Sequence, residues 1–210
     1  MARVKIGNVF PPLAWLMERC APAGYGWGDG SPATQFNASN VDRTAVFVSS
    51  GDDMPTDDSV WQCEFYATSF DGSGSYGHMV ATGQSGAAKG CCCIRLKENG
   101  VYSEWEWINP PMAIGKEYRT TERWNGKPVY AALVNVGAFP ETGMTNAETG
   151  ITATGIVRFH AAIGYTTLPL AGNMEINTFH TGEEITVQLH TAEERIYTND
   201  VMVTLYYIKN

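Results

Sequence analysis

In the run VWQCEFYATSF (60–70), Trp61, Cys63, Phe65 and Ala67 alternate with Gln62, Glu64, Tyr66 and Thr68. A period of two sends the first set to one face of an extended strand and the second to the other, as a half-buried antiparallel strand requires. Runs of this texture recur, and no segment keeps a helical period beyond about two or three turns. The chain therefore reads as all-β.

Three regions follow from the pattern. Residues 1–30 hold a short VKIGNVF, Pro11-Pro12, the apolar LAWLMERCA and the glycine-rich GYGWGDGSP, and read as an attachment segment. Residues 31–113 carry strand runs TAVFVSS, VWQCEFYATSF, HMVATGQ, CCCIRLKENG and VYSEWEWINPP, with the acidic turn DDMPTDD between the first two. Extended backbone points Trp105 and Trp107 the same way, and Pro110-Pro111 breaks the run, so a module boundary is placed there. From 114 to 210, KPVYAALVNVG, GIVRFHAAIG, EINTFHTG, EEITVQLHTA and DVMVTLYYIKN are spaced like the strands of a sandwich.

Charged residues make up 17% of the 210-residue chain, below the usual share for a globular domain, and the net charge is −8. An acidic chain is a poor holder of phosphate backbones, which argues against nucleic acid as partner. No apolar stretch approaches the length of a membrane span, and the interrupted N-terminus does not read as a secretory signal, so a soluble, unexported chain is expected. The five cysteines, Cys20, Cys63, Cys91, Cys92 and Cys93, are odd in number and three are consecutive, which fits reduced thiols better than a disulfide framework.

Motifs for chemistry are sparse. Gly72, Gly74 and Gly77 match G-x-G-x-x-G in letters, but the HMVATGQSG that follows is no helix, so the segment reads as a loop between strands. Neighbours in the Cys91–Cys93 run point to opposite faces, which suits packing better than one metal site. His78, His160, His180 and His190 show no ligand spacing; a histidine on a three-fold axis is the one arrangement that would gather a metal. Asp52, Asp53, Asp57 and Asp58 lack the spacing of a calcium loop and read as a solvated turn. No G-x-S-x-G elbow occurs, and no enzyme or cofactor is expected. Tyr25, Trp27, Tyr76, Tyr102, Tyr165 and Tyr197 lie in or beside loops, where rings either anchor the loop or offer flat surface to a ligand.

Two segments carry a resemblance. CIRLKENGVYSEWEWINPP resembles the ending of the knob modules of phage tail fibres and tail-like bacteriocins, with Ser103, Trp105 and Trp107 in a W-S-x-W-like strand and Tyr102 in the place of its first tryptophan. GKEYRTTERWNGKPVYAALVNVG (115–137) looks like the opening of the β-sandwich head of phage fibres, and NDVMVTLYYIKN like its closing strand. Together they cover roughly 90–210. The opening VKIGN is also fibre-like, but VFPPLAWLMERC follows it without heptads or Gly-x-y triplets, so no long shaft is expected.

The resemblance implies a virion-attachment segment (1–30), a knob-like module (31–113) and a C-terminal head (114–210) in a homotrimer with part of its apolar surface between copies. It implies a structural virion protein assembled in the host bacterial cytoplasm, a tail fibre or a capsid-attached head fibre, that binds a bacterial surface receptor, expected to be carbohydrate. The expected receptor contacts are Tyr165, Tyr197 and Asn199. Phe10, Leu13, Trp15 and Leu16, a compact apolar cluster outside the strand runs, are the expected grip on other virion proteins. The alternatives are a fibre-associated glycan hydrolase and a cellular β-sandwich binding module.

Overall fold

A computed structural model describes residues 37–42, 44–68, 75–163, 166–168, 174–192 and 199–210. The expected attachment residues Phe10, Leu13, Trp15 and Leu16, the expected contacts Tyr165 and Tyr197, and Tyr25, Trp27 and Cys20 lie outside the described residues. What is described is antiparallel β-structure with two short 3-10 turns, Ala38–Asn40 and Gly86–Ala88. The all-β expectation is met. The chain divides into two compact units, Met1–Pro110 and Pro111–Asn210.

The N-terminal unit is a meander of β1 (Ala45–Ser49), β2 (Trp61–Ala67), β3 (Gly77–Gly83), β4 (Cys92–Glu98) and β6 (Glu106–Asn109), with the two-residue β5 (Val101–Tyr102) pairing on β4. The alternation read in VWQCEFYATSF is the one that forms: Trp61, Cys63 and Phe65 are fully buried, while Gln62 and Tyr66 are exposed. Phe47, Cys63, Ala81, Cys93 and Trp107 run across the sheet as one cross-strand row. Burying a side chain the size of Phe47 or Phe65 contributes about 1.5–3 kcal/mol. Trp61 and Trp107 meet edge to face with ring centres 5.9 Å apart, and Trp61 Nε1 donates to the Thr56 carbonyl, which satisfies the polar end of that ring.

Strand β4 reverses the usual rule. Arg95 and Lys97 face inward and are buried, while Leu96 on the other face is 59% exposed. Inward cations are tolerated because rings and a carbonyl receive them. Arg95 lies between Tyr102 and Trp105, and Lys97 Nζ donates to the Val41 carbonyl at 2.8 Å and stands 4.9 Å from the Tyr102 ring centre. Trp105 in turn donates through Nε1 to the Asp53 carbonyl at 3.0 Å. The acidic turn is thus more than a solvated loop. Asp53 accepts from the Ser39 hydroxyl and Asp58 from the Ser59 hydroxyl; the Ser59 bond, followed by one from the Ala87 N–H, holds Asp58 below the usual carboxylate range.

The C-terminal unit stacks two sheets. One runs β7 (Glu117–Trp124), β8 (Lys127–Asn135), β14 (Val201–Ile208), β10 (Gly155–Ile163), β11 (Thr166–Leu168). The other runs β12 (Met174–Thr181), β13 (Glu184–Thr191), β9 (Gly143–Thr152). Ile185, Val187 and Leu189 of β13 share a fully buried core with Val201, Val203 and Leu205 of β14, the interior that a sandwich needs. Asn125 and Gly126, both at positive φ, close the β7–β8 hairpin in two residues, as its right-handed twist favours.

Candidate binding cleft in the C-terminal unit

The two sheets do not close on each other along one side. Strand β12 is an edge: its ladder partner among the described strands is β13 alone, over all eight residues from Met174↔Thr191 to Thr181↔Glu184. Strand β10 pairs with β14 on one side, but β11 covers only Ala161–Ile163 on the other. A cleft of about 540 Å³ opens between these two strands. Consecutive residues of each line it, so it runs along their edges; β12 on this side, and β10 before Ala161, have no further ladder partner among the described strands.

Its floor is apolar. Phe159, Met174 and Ile176 pack against the sandwich core on their inner sides, and the buried Phe139 also lines the cleft. Its rim is polar, with His160 from β10 and Glu175 and Asn177 from β12. Period two explains the division: Met174 and Ile176 turn to the core, and Glu175 and Asn177 turn to solvent. Glu175 stands opposite His190 in the β12–β13 ladder, and its carboxylate lies 3.5 Å from Nδ1 of that histidine. His160 rests edge-on against Tyr206, ring centres 6.0 Å apart. Arg158, the nearest cation along β10, is engaged elsewhere: it donates from both terminal nitrogens to the two Glu122 carboxylate oxygens, each at 2.6 Å, beneath the Tyr206 ring. Among the described residues that line the cleft, the rim therefore carries one carboxylate and no lysine or arginine.

A second opening of about 300 Å³ in the same unit is lined by Glu117, Tyr207 and Lys209. Tyr207 donates its hydroxyl to Glu117, which also accepts from Lys209 Nζ at 2.7 Å, so the polar groups there satisfy one another. Burial, followed by the Glu117 contact, pushes the Tyr207 hydroxyl well above the ordinary phenol range.

Of the expected receptor contacts, Asn199 is described; it is exposed, beside Asp200, whose carboxylate accepts from Asn135 Nδ2 at 2.7 Å. Asn199 does not line the cleft. In the cysteine run, Cys93 is fully buried, Cys91 is buried and Cys92 is half-buried, the two-faced placement expected of a strand. Among the described residues, no three His, Cys, Asp or Glu side chains gather as a metal site. Gly77, the last glycine of the G-x-G-x-x-G letters, starts β3, and a Cβ there would lie 2.4 Å from the Tyr66 carbonyl oxygen, so it serves close strand packing. Sequence reasoning missed Glu175, Asn177 and Phe159. Their alternation was readable in EINTFHTG and GIVRFHAAIG; the gap between the two strands was not.

No family model matches the chain, and no curated protein matches it. Among solved structures, the chain is similar to the C-terminal segment of an R1 pyocin fibre of P. aeruginosa, with 8% identity and a TM-score of 0.29 over 86% of this chain and 68% of that one. It is also similar to an N-truncated R2-type pyocin tail fibre, with 8% identity and a TM-score of 0.27 over 83% of this chain and 94% of that one.

Proposed function

We propose that this chain is a non-enzymatic fibre subunit of a phage or phage-tail-like particle that binds a bacterial surface carbohydrate through its C-terminal unit. The observation that carries the binding role is the cleft between β10 and β12. An apolar floor of Phe159, Met174 and Ile176 under a polar rim suits a sugar, whose ring faces are apolar and whose edge is hydroxyl. The size also fits, since ligand pockets commonly measure about 300–1,000 Å³.

Glu175 is the one carboxylate among the described lining residues, whereas glycoside hydrolysis usually works with a pair flanking the bond. That favours binding over hydrolysis. The fibre assignment draws on the resemblance of residues 90–210 to knob and head modules. The trimer is supported by the outer face of the N-terminal sheet, where Ile94 stands beside Leu96 and Ile108, 59% and 56% exposed, which a single copy leaves in water. Repetition of a weak site on each of three subunits supplies avidity.

The test is competition. Purified chain, added in excess to host cells, is expected to occupy the surface and block adsorption of the particle that carries it, while Asn177→Ala with Phe159→Ala blocks less. Wild-type chain that neither binds cells nor slows adsorption would overturn the proposal, as would turnover of the surface polysaccharide by the purified chain.

A further inference from the structure

Building on the carbohydrate reading of the cleft, we infer that it takes uncharged or amine-bearing sugars and disfavours sugars that carry carboxylate or phosphate. The ground is the charge of the rim. Among the described lining residues Glu175 carries the formal charge, standing outward on β12 beside Asn177. None of those residues is a lysine or an arginine, the groups on which recognition of carboxylate or phosphate usually rests. The nearest arginine along β10, Arg158, is held by both oxygens of Glu122 and lies under Tyr206. The whole chain adds to the bias with its net charge of −8.

The remaining groups suit neutral partners. Asn177 offers both a donor and an acceptor, His160 offers ring nitrogens, and the free edges of β10 and β12 offer backbone N–H and C=O. A sugar hydroxyl both gives and takes a hydrogen bond, so it pairs with either kind of group. An N-acetyl group presents an amide to a strand edge as another strand would. An ammonium gains from Glu175 what a carboxylate loses. Because the Glu175 side chain is largely exposed, the effect is moderate, about five- to tenfold in affinity at low salt, and it shrinks as salt screens it.

The experiment titrates the full chain with three oligosaccharides of equal length built from N-acetylglucosamine, glucosamine and glucuronic acid. Expected is binding of the first two, glucuronate weaker by about five- to tenfold, and collapse of that glucuronate-to-N-acetylglucosamine affinity ratio toward one in Glu175→Gln. Equal or tighter binding of glucuronate by the wild-type chain overturns the inference, as does a Glu175→Gln variant that keeps the full gap. If no oligosaccharide binds while the chain still blocks adsorption, the inference falls and the receptor reading stands. If adsorption is not blocked either, both fall.

Discussion

The Arg95 guanidinium carbon lies 4.0 Å from the ring centre of Tyr102 and 4.3 Å from that of Trp105, so the cation is held between two aromatic faces. It is only 6% exposed, and its Nε has no hydrogen-bond partner among the described residues. A buried donor without a partner costs stability, and two ring contacts of about 2 kcal/mol each offset it.

Flat stacking is something lysine cannot reproduce. Arg95→Lys is therefore expected to destabilise the chain by about 1–2 kcal/mol. Arg95→Ala, which also empties the space between the rings, is expected to cost about 2–4 kcal/mol. Urea unfolding followed by tryptophan fluorescence measures both; a lysine variant as stable as wild type would mean that the rings supply packing alone.

Alkaline pH tests the same core. Burial pushes the Cys63 thiol from 9.0 up to about 12, and the Tyr102 hydroxyl from 10.0 up to about 12. The folded chain keeps protons that the unfolded chain releases, so the stabilisation is intact below pH 9 and is lost as pH rises from 9 to about 12. Unfolding midpoints should fall across that window. Native-state alkylation at pH 8 should modify Cys92, which faces outward, before Cys63 or Cys93.

Acid acts on the C-terminal unit through Glu122. Its bonds to Arg158 hold the carboxyl below its ordinary 4.5, so the pair stabilises the fold above that pH and stops doing so as pH falls below it. Both side chains are more than a third exposed, which limits the gain to about 0.5–1 kcal/mol. Glu122→Gln should lose that amount at pH 7, and the gap to wild type should narrow as pH falls below 4.5. A gap independent of pH would sink this account.

Gly83 ends β3 where the chain turns back on itself, and a Cβ there would stand 2.0 Å from the Ala88 carbonyl oxygen. The backbone cannot yield easily, because Gly83 donates to the Cys91 carbonyl and accepts from the Gly90 N–H. Gly83→Ala is expected to cost about 2–3 kcal/mol. Gly155→Ala meets only the movable end of Ile208 at 3.3 Å and should cost less than about 1 kcal/mol. Thermal melts of the two variants compare them directly.

Period two made β2 and β14 legible, because in each the buried residues are also the apolar ones. Strand β9, GMTNAETGIT, escaped notice. It is an edge strand whose partly buried positions are Ala147, Thr149 and Ile151, and Thr149 is held by donating to the Ile185 carbonyl at 2.6 Å. Its partner β13 makes it a strand, and no property of its own residues announces that. Strand β7 was likewise read only as a motif, although Asn125-Gly126 just beyond it signals a hairpin. The cleft was hidden for a different reason: it exists where edges of two sheets fail to meet, a relation between residues far apart in the chain.

The inverted strand β4 bears on how the chain folds. A slip of one residue against β3 would turn Ile94 and Leu96 inward and return both cations to water, so hydrophobic burial alone rewards the wrong register. The correct one gains only after Tyr102 and Trp105 have arrived over Arg95, and both come from the stretch just after the Asn99-Gly100 turn. These contacts span few residues and form at little loop-closure cost. A hairpin that closed before β4 docked on β3 would bring Tyr102 and Trp105 over Arg95 first and so favour the observed register, giving residues 91–109 a local check on the pairing of β4.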